Sequence, residues 1–226
     1  MIRLAVFDVD GTLYSHKTHS VPQSAVEAVK KLREQGIQIA IASGRPAFVM
    51  QNVIEAGIEF DYVVGCNGHC VYKGTTELLG GFSFSEKMVD DLVQYCVEHD
   101  YPLSFKFPYA NYVYNKIECF EQIHKNLKLS DNLVHKHYER NHHREELPFG
   151  GVSFFAQAEA DAYSKEHPEI SFLAFEPNRY DISLSNVNKG TGLELLLKEI
   201  GLTFDECIGP LTARKIGVEQ ASGEYI

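Results

Sequence analysis

The sequence predicts an α/β fold, and the prediction depends on alternating apolar runs and amphipathic segments near the start of the chain. Residues 4–7 are an apolar run directly before Asp8, which is typical of a buried parallel strand. An amphipathic segment from Val21 follows, with apolar positions at helical spacing, and Gly36 ends it as a helix cap. Residues 37–42, apolar except for Gln38, are the second predicted strand. Strand, helix and strand in this order indicate a parallel sheet with helices on both faces.

The same pattern continues with a predicted helix over 47–57 and a strand over 62–64. After Gly80 and Gly81 the pattern changes to aromatic-rich strands joined as hairpins, which predicts an inserted α+β unit. Helical periodicity returns at Lys189. Within the insertion we predict helices at 86–99, 118–129 and 158–166, and strands at 102–109, 111–116, 149–155, 171–175 and 179–184.

The composition of the 226 residues, 44% hydrophobic and 23% charged, is that of an ordinary globular chain of one large or two modest domains. The first residues lack the pattern of a signal peptide, and no apolar run is long enough to span a membrane. Five irregularly placed cysteines indicate reduced thiols. The net charge of -10 argues against a broad basic surface for nucleic acid or anionic membranes. We therefore expect a cytoplasmic protein that binds neither.

The most specific motif is Asp8-Val9-Asp10-Gly11-Thr12-Leu13, at the end of the first strand. Ligands of open α/β sheets bind at the carboxyl ends of strands, where this motif lies. A tight turn at Gly11 would bend Asp10 back over Asp8, so that one carboxylate attacks phosphorus while the other transfers a proton. The alternative is a solvated Asp-Gly turn, which is common after strands.

Two further motifs follow other elements. Ser43-Gly44-Arg45 lies at the end of the second strand and could bind a phosphate through its hydroxyl, backbone N–H groups and guanidinium. The alternative is a helix-capping serine beside a surface arginine. Asn188-Lys189-Gly190-Thr191 begins the last helix. A lysine is unfavourable at this end of the helix dipole, so it either neutralises a carboxylate and a phosphate or is an exposed turn residue.

These motifs, together with Asn67-Gly68 between them, resemble the Cof-type branch of the haloacid dehalogenase superfamily over residues 1–208. The resemblance implies a Rossmann-like parallel-sheet core, formed by residues 1–81 and 186–226, with an α+β cap inserted at 82–185.

The resemblance also implies the roles of individual residues. Asp8 would be the nucleophile that forms an aspartyl-phosphate, Asp10 the acid and base, and Ser43 and Lys189 the groups that hold the phosphate. Mg²⁺ would bind the Asp8 carboxylate and the Asp10 backbone carbonyl. The residues that would bind the substrate are Gly11, Thr12, Gly44, Arg45 and Asn67.

The resemblance stops at Ile208. The family continues into a strand and a Gly-Asp…Asn-Asp motif whose acidic residues complete the metal site, but this chain has no aspartate after Asp205. Pro210 cannot donate a hydrogen bond in a central strand. We therefore expect residues 209–226 to lie irregularly over the sheet edge or to pair with a neighbouring molecule. A changed reading frame or an interrupted gene would explain the break, and a true variant with a substitute ligand is the alternative.

Two other clusters carry no predicted chemistry. The histidines between residues 135 and 143 lack regular helical spacing, so we predict a solvated loop rather than a zinc site. Cys66, His69 and Cys70 have no second ligand pair.

Three functions agree with these observations. The first is an Mg²⁺-dependent phosphatase that acts on small phosphorylated metabolites, such as sugar phosphates. The second is a catalytically impaired or inactive remnant of such an enzyme. The third is a phosphomutase, which shares the aspartyl-phosphate step but excludes water from it.

Overall fold

The computed structural model describes residues 1–15, 18, 20–126, 133–137 and 139–209. The chain divides into two compact units. Unit 1 comprises Met1–Gly81 and the segment that begins at Asn188, and unit 2 comprises Phe82–Val187. None of the helices in the described ranges has the length and apolarity needed to cross a membrane.

The helices are α1 (Gln23–Glu34), α2 (Gln51–Glu55), α3 (Glu86–Glu98), α4 (Glu121–Asn126), α5 (Gln157–Glu166) and α6 (Lys189–Glu199). The strands are β1 (Leu4–Asp8), β2 (Gln38–Ala42), β3 (Tyr62–Gly65), β4 (Cys70–Lys73), β5 (Glu77–Gly81), β6 (Leu103–Lys106), β7 (Asn111–Asn115), β8 (Val134–Lys136), β9 (Gly151–Phe154), β10 (Ile170–Glu176), β11 (Arg179–Leu184) and β12 (Cys207–Ile208).

Unit 1 contains a six-stranded sheet in the order β12-β1-β2-β3-β4-β5. The first four strands are parallel, and β4 and β5 extend the sheet as an antiparallel hairpin. The predicted α/β class is therefore confirmed. The hairpin itself was not predicted, because its strands are short and β5 ends in the two glycines that resemble a linker.

Both faces of this sheet are buried. On one face, Leu193, Leu196 and Leu197 of α6 pack against Leu4 and Val6 of β1. On the opposite face, Ile39 and Ile41 of β2 are fully buried, and α1 lies against the same strand. The burial of residues 4–6 in β1 and 39–42 in β2 explains why these stretches are continuous apolar runs rather than alternating ones.

Several predicted elements differ in length from those observed. The helix predicted at 47–57 is a 3₁₀ turn, Ala47–Val49, followed by the short α2. The helix predicted at 118–129 is a 3₁₀ turn, Ile117–Cys119, followed by α4, and residues 127–129 lie outside the described residues. The C-terminal prediction also lies outside them from residue 210 onward.

Unit 2 contains a second six-stranded sheet, in the order β10-β11-β9-β6-β7-β8, in which only the β7–β8 pair is parallel. The α3 side chains Val89 and Leu92 pack with Leu103 and Phe105 of β6. Residues at alternate positions, among them Lys106, therefore belong to the other face of the sheet.

The histidine-rich segment is not a solvated loop, so that prediction was wrong. The His142 ring stacks on Tyr112 with centroids 3.8 Å apart. His143 is buried, and its Nε2 lies 3.0 Å from Asp90 Oδ1 while its backbone N–H donates to the Tyr114 hydroxyl at 3.0 Å. These partners are distant in sequence, which is why local spacing did not indicate them.

Candidate active site at the carboxyl end of the first strand

A tight turn follows β1 and positions the two aspartates. Asp8 is the last residue of the strand, and Val9 is completely buried beneath the turn. Gly11 has a φ of 79°, a left-handed conformation that glycine adopts without steric cost. The Tyr14 N–H donates to the Val9 carbonyl at 2.8 Å and closes the turn. Gly11 and Thr12 lie exposed at its surface.

Lys189, at the start of α6, forms an ion pair with Asp8 through its Nζ and the carboxylate Oδ2. The two residues are 181 positions apart in the sequence. Asn188 caps the helix by accepting hydrogen bonds from the N–H groups of Gly190 and Thr191, at 2.8 and 3.2 Å. The cap satisfies the first helical N–H groups. It therefore fixes the point from which Lys189 extends to Asp8.

Arg45 forms a two-point ion pair with Asp10. Its Nη2 lies 2.7 Å from Oδ1 and its Nε 3.3 Å from Oδ2. The Arg45 guanidinium also lies 5.8 Å from the centre of the Tyr14 ring, within the range of a cation–π contact. Each aspartate of the motif is therefore paired with a cation from another element of the unit, Asp8 with Lys189 and Asp10 with Arg45.

The loops after β2 and β3 are joined by backbone hydrogen bonds. The N–H of Asn67 donates to the Ser43 carbonyl at 3.0 Å, and the N–H of Cys66 donates to the Arg45 carbonyl at 3.1 Å. Ser43 is buried, and its Oγ accepts from the Arg45 N–H at 3.2 Å. A Cβ at Gly44 would lie 2.9 Å from the Asn67 side-chain oxygen, so a larger residue there would displace the Asn67 side chain. Ser43, Arg45 and Asn67 are thus held in one rigid group.

Two glycines bring the start of α6 against the end of β3. A Cβ at Gly68 would lie 2.0 Å from the Asn188 carbonyl oxygen. A Cβ at Gly192 would lie 2.6 Å from Gly68 Cα and from a methyl group of Val64. Real side chains do not tolerate such distances, so the helix and the loop touch through their backbones. This contact sets the height of Lys189 above the sheet.

The donor atoms at this site suit a hard cation such as Mg²⁺. Mg²⁺ is usually bound by one or two carboxylates, with waters and phosphate oxygens completing the shell. At one strand end, Asp8 provides a carboxylate and Asp10 a backbone carbonyl, while the Asp10 carboxylate is paired with Arg45. In the described part of the chain, no group of three or more His, Cys, Asp or Glu residues is arranged to hold a metal ion. The described residues therefore fit a metal that depends on its substrate and solvent for the remaining ligands.

Sequence reasoning did not identify the supporting residues of the site. Tyr14 beside Arg45 and the contact between Gly68 and Gly192 were missed, and Asn188 was recognised in the motif but not as the cap of α6. The two glycines that flank Thr191 were visible in the sequence, but what Gly192 contacts depends on the three-dimensional packing.

Comparison with known proteins agrees with the motifs. The model of the haloacid dehalogenase-like hydrolase family matches residues 5–209. The HMP-PP phosphatase of Shigella boydii serotype 4 (strain Sb227) is 37% identical over 79 residues, which are 35% of this chain and 30% of that relative. The match thus spans less than a third of the relative's length.

Solved structures share the fold. The phosphatase BT1666 from Bacteroides thetaiotaomicron superposes with a TM-score of 0.76 at 22% identity, over 92% of this chain and 76% of that one. The sugar phosphatase BT4131, of HAD subclass IIB, superposes with a TM-score of 0.77 at 22% identity, over 91% and 78%. The resemblance drawn from the motifs is confirmed, and the chain belongs to the haloacid dehalogenase-like hydrolase family.

Proposed function

We propose that the protein is a phosphatase that hydrolyses small phosphate monoesters through an aspartyl-phosphate on Asp8. The observation that carries the proposal is the ion pair between Asp8 and Lys189, which joins residues 181 positions apart at the carboxyl end of β1. A lysine at the unfavourable end of a helix dipole is explained if it neutralises the nucleophile and the incoming phosphate. Arg45 on Asp10 supports the same interpretation, because it adds a second cation for an anionic substrate.

The proposed reaction has two steps. An Asp8 carboxylate oxygen attacks phosphorus and the bond to the leaving oxygen breaks, while Asp10 donates a proton to that oxygen. Asp10 then accepts a proton from water, which attacks phosphorus and releases Asp8. Lys189 holds Oδ2 of Asp8, so we assign the attack to Oδ1. In the structure Asp10 is paired with Arg45, so Arg45 must release Asp10, and Asp10 must take up a proton from solvent, before Asp10 can protonate the leaving oxygen. An arriving phosphate would compete for the guanidinium.

We assign the remaining residues from their positions. Ser43 and Lys189 would hold the transferring phosphoryl group, and Gly11, Thr12, Gly44, Arg45 and Asn67 would line its surroundings. The Asp8 carboxylate and the Asp10 backbone carbonyl would hold Mg²⁺, which when bound neutralises charge on the phosphoryl group.

The proposed substrates are small phosphorylated metabolites of the sugar-phosphate type, with unit 2 acting as a cap. The names of the similar proteins, an HMP-PP phosphatase and a sugar phosphatase, support a phosphorylated substrate, and the second name supports the sugar-phosphate type. We also propose a cytoplasmic location, without nucleic-acid or membrane partners. All five cysteines are free, which agrees with a reducing compartment.

The experiment is an assay of p-nitrophenyl phosphate and a panel of sugar phosphates with Mg²⁺, comparing the natural protein with Asp8→Asn. The variant keeps the size of the side chain but removes the attacking charge, so hydrolysis should vanish. Full activity in Asp8→Asn would contradict the proposal. The absence of hydrolysis by the natural chain would favour an inactive remnant, and transfer between two positions of one sugar would favour a phosphomutase.

A further inference from the structure

Unit 1 contains a buried histidine, His69, that the proposed chemistry does not use. We propose that His69 is a positioning residue for the proposed reaction. Its imidazole holds residues 66–68 in the conformation that places Asn67 and supports the start of α6. The inference rests on the proposed function, because His69 would act on the reaction only through Asn67 and Lys189.

The turn that precedes His69 has an unfavourable backbone conformation. Three consecutive residues have left-handed φ angles, 49° at Cys66, 58° at Asn67 and 103° at Gly68. Glycine adopts such angles readily and asparagine does so more often than most residues, but for other residues the Cβ opposes them. A cysteine held in this conformation needs contacts from its surroundings that fix it there.

His69 provides two such contacts, both to the carbonyl oxygen of Cys66. The His69 ring nitrogen Nδ1 lies 2.8 Å from this oxygen, and the His69 backbone N–H donates to it at 3.2 Å. A carbonyl oxygen only accepts hydrogen bonds, so Nδ1 carries the proton. His69 is 1% exposed, so the bond from Nδ1 is shielded from water, which strengthens it. The imidazole therefore closes the turn over its two left-handed residues Asn67 and Gly68.

The turn that the imidazole closes contacts the other loops of the candidate site. The N–H of Asn67 donates to the Ser43 carbonyl at 3.0 Å. Gly68 approaches the backbone of Asn188 so closely that a Cβ on Gly68 would lie 2.0 Å from the Asn188 carbonyl oxygen. Lys189 follows Asn188 directly and extends to Asp8. A displaced turn would therefore move Asn67 and shift the support from which Lys189 reaches the nucleophile.

The test compares three substitutions of His69 in the full-length chain. His69→Asn keeps an N–H donor as far from the backbone as Nδ1 is, whereas His69→Leu and His69→Phe fill the space without a donor. In both donor-free variants we expect kcat/KM for p-nitrophenyl phosphate to fall about tenfold, less than the roughly 10²-fold cost of a misplacement by about 1 Å. His69→Asn should remain within about twofold of the natural value, because the hydrogen bond to Cys66 is kept.

Amide hydrogen exchange, followed by NMR, separates positioning from a general loss of stability. In the donor-free variants the amides of Cys66 and Asn67 should exchange about tenfold faster, because a hydrogen bond that closes the turn is lost, while those of β1 keep their natural rates. His69→Asn should restore the protection. Faster exchange that extends equally to β1, or a loss of activity in His69→Asn as large as in the donor-free variants, overturns the inference. If one donor-free variant does not fold, the other decides.

Failure of the proposed function would be distinguishable from failure of this inference. The former would appear as no Asp8-dependent hydrolysis of p-nitrophenyl phosphate by the natural protein. In that case the exchange measurement, which needs no substrate, decides whether His69 holds the turn. Natural exchange rates at Cys66 and Asn67 in the donor-free variants overturn the inference whether or not the protein is a phosphatase.

Discussion

Substituting alanine for Gly192 tests whether the contact between α6 and the β3 loop positions Lys189. The new Cβ would lie 2.6 Å from Gly68 Cα, whereas an ordinary contact is 3.4–4 Å, so the helix must withdraw by about 1 Å. A displacement of this size at a catalytic group costs about 10²-fold in rate. Overpacking costs about 1–3 kcal/mol, and the better helix propensity of alanine returns up to about 1 kcal/mol. We expect kcat/KM to fall about 100-fold while stability falls by no more than about 2 kcal/mol.

The assay is Asp8-dependent hydrolysis of p-nitrophenyl phosphate, with urea unfolding for stability. Gly80→Ala is the matched control, because its Cβ would meet Leu195 of the same helix at an ordinary 3.6 Å. It should leave both quantities close to those of the natural protein. Gly192→Ala with natural activity and stability would refute the argument that this backbone contact sets the position of Lys189.

Three further predictions follow from other contacts. Arg45→Lys cannot bind Asp10 at two points, so kcat/KM should fall about tenfold with little change in Tm, and an unchanged kcat/KM would contradict this role. Burial lowers the pKa of His142 below its ordinary value of 6.5. The nearby His137 and His135 act in the same direction, whereas Glu145 opposes them. The contribution of His142 to stability is therefore complete above pH 6.5 and declines as the pH falls below 6.5. In His142→Phe, Tm should fall less steeply with decreasing pH below 6.5. The same dependence of Tm on pH as in the natural protein would count against this. Calorimetric titration with Mg²⁺ alone should give a Kd on the order of millimolar, since the proposed protein ligands are one carboxylate, on Asp8, and the Asp10 backbone carbonyl; micromolar binding would require another protein ligand.

The parts of the fold that the sequence predicted are those whose information is local. The strand before Asp8 could be identified because burial on both faces requires a continuous apolar run. The helix that begins at Lys189 could be identified because burial of one stripe requires apolar residues at helical spacing. The turn at Gly11 could be identified because few residues other than glycine adopt its conformation readily.

The parts that the sequence did not predict depend on distant partners. The strands β4 and β5 are short, and their pairing with each other and with β3 gives them their structure. His143 is buried because Asp90 and the Tyr114 hydroxyl accept and donate hydrogen bonds around it. Spacing within the histidine-rich segment contains no information about those two residues.

The candidate site divides in the same way. Asp8, Asp10 and Ser43 could be selected from motifs at strand ends, because parallel strands bring their carboxyl ends to one edge of the sheet. The role of Gly192 could not be identified, because the close approach of Gly68 to this helical glycine depends on the packing of distant elements.

The position of α6 in the sequence has a consequence for synthesis on the ribosome. This helix covers the face of the sheet formed by Leu4, Val6 and Ala40, yet it follows the whole of unit 2 in the chain. At about 5–20 residues per second, the intervening hundred or so residues take about 5–20 s to emerge. During that interval the apolar face of the nascent sheet has no covering helix. We therefore expect the growing chain to expose apolar surface to chaperones, and slower translation of unit 2 should increase aggregation of the nascent chain.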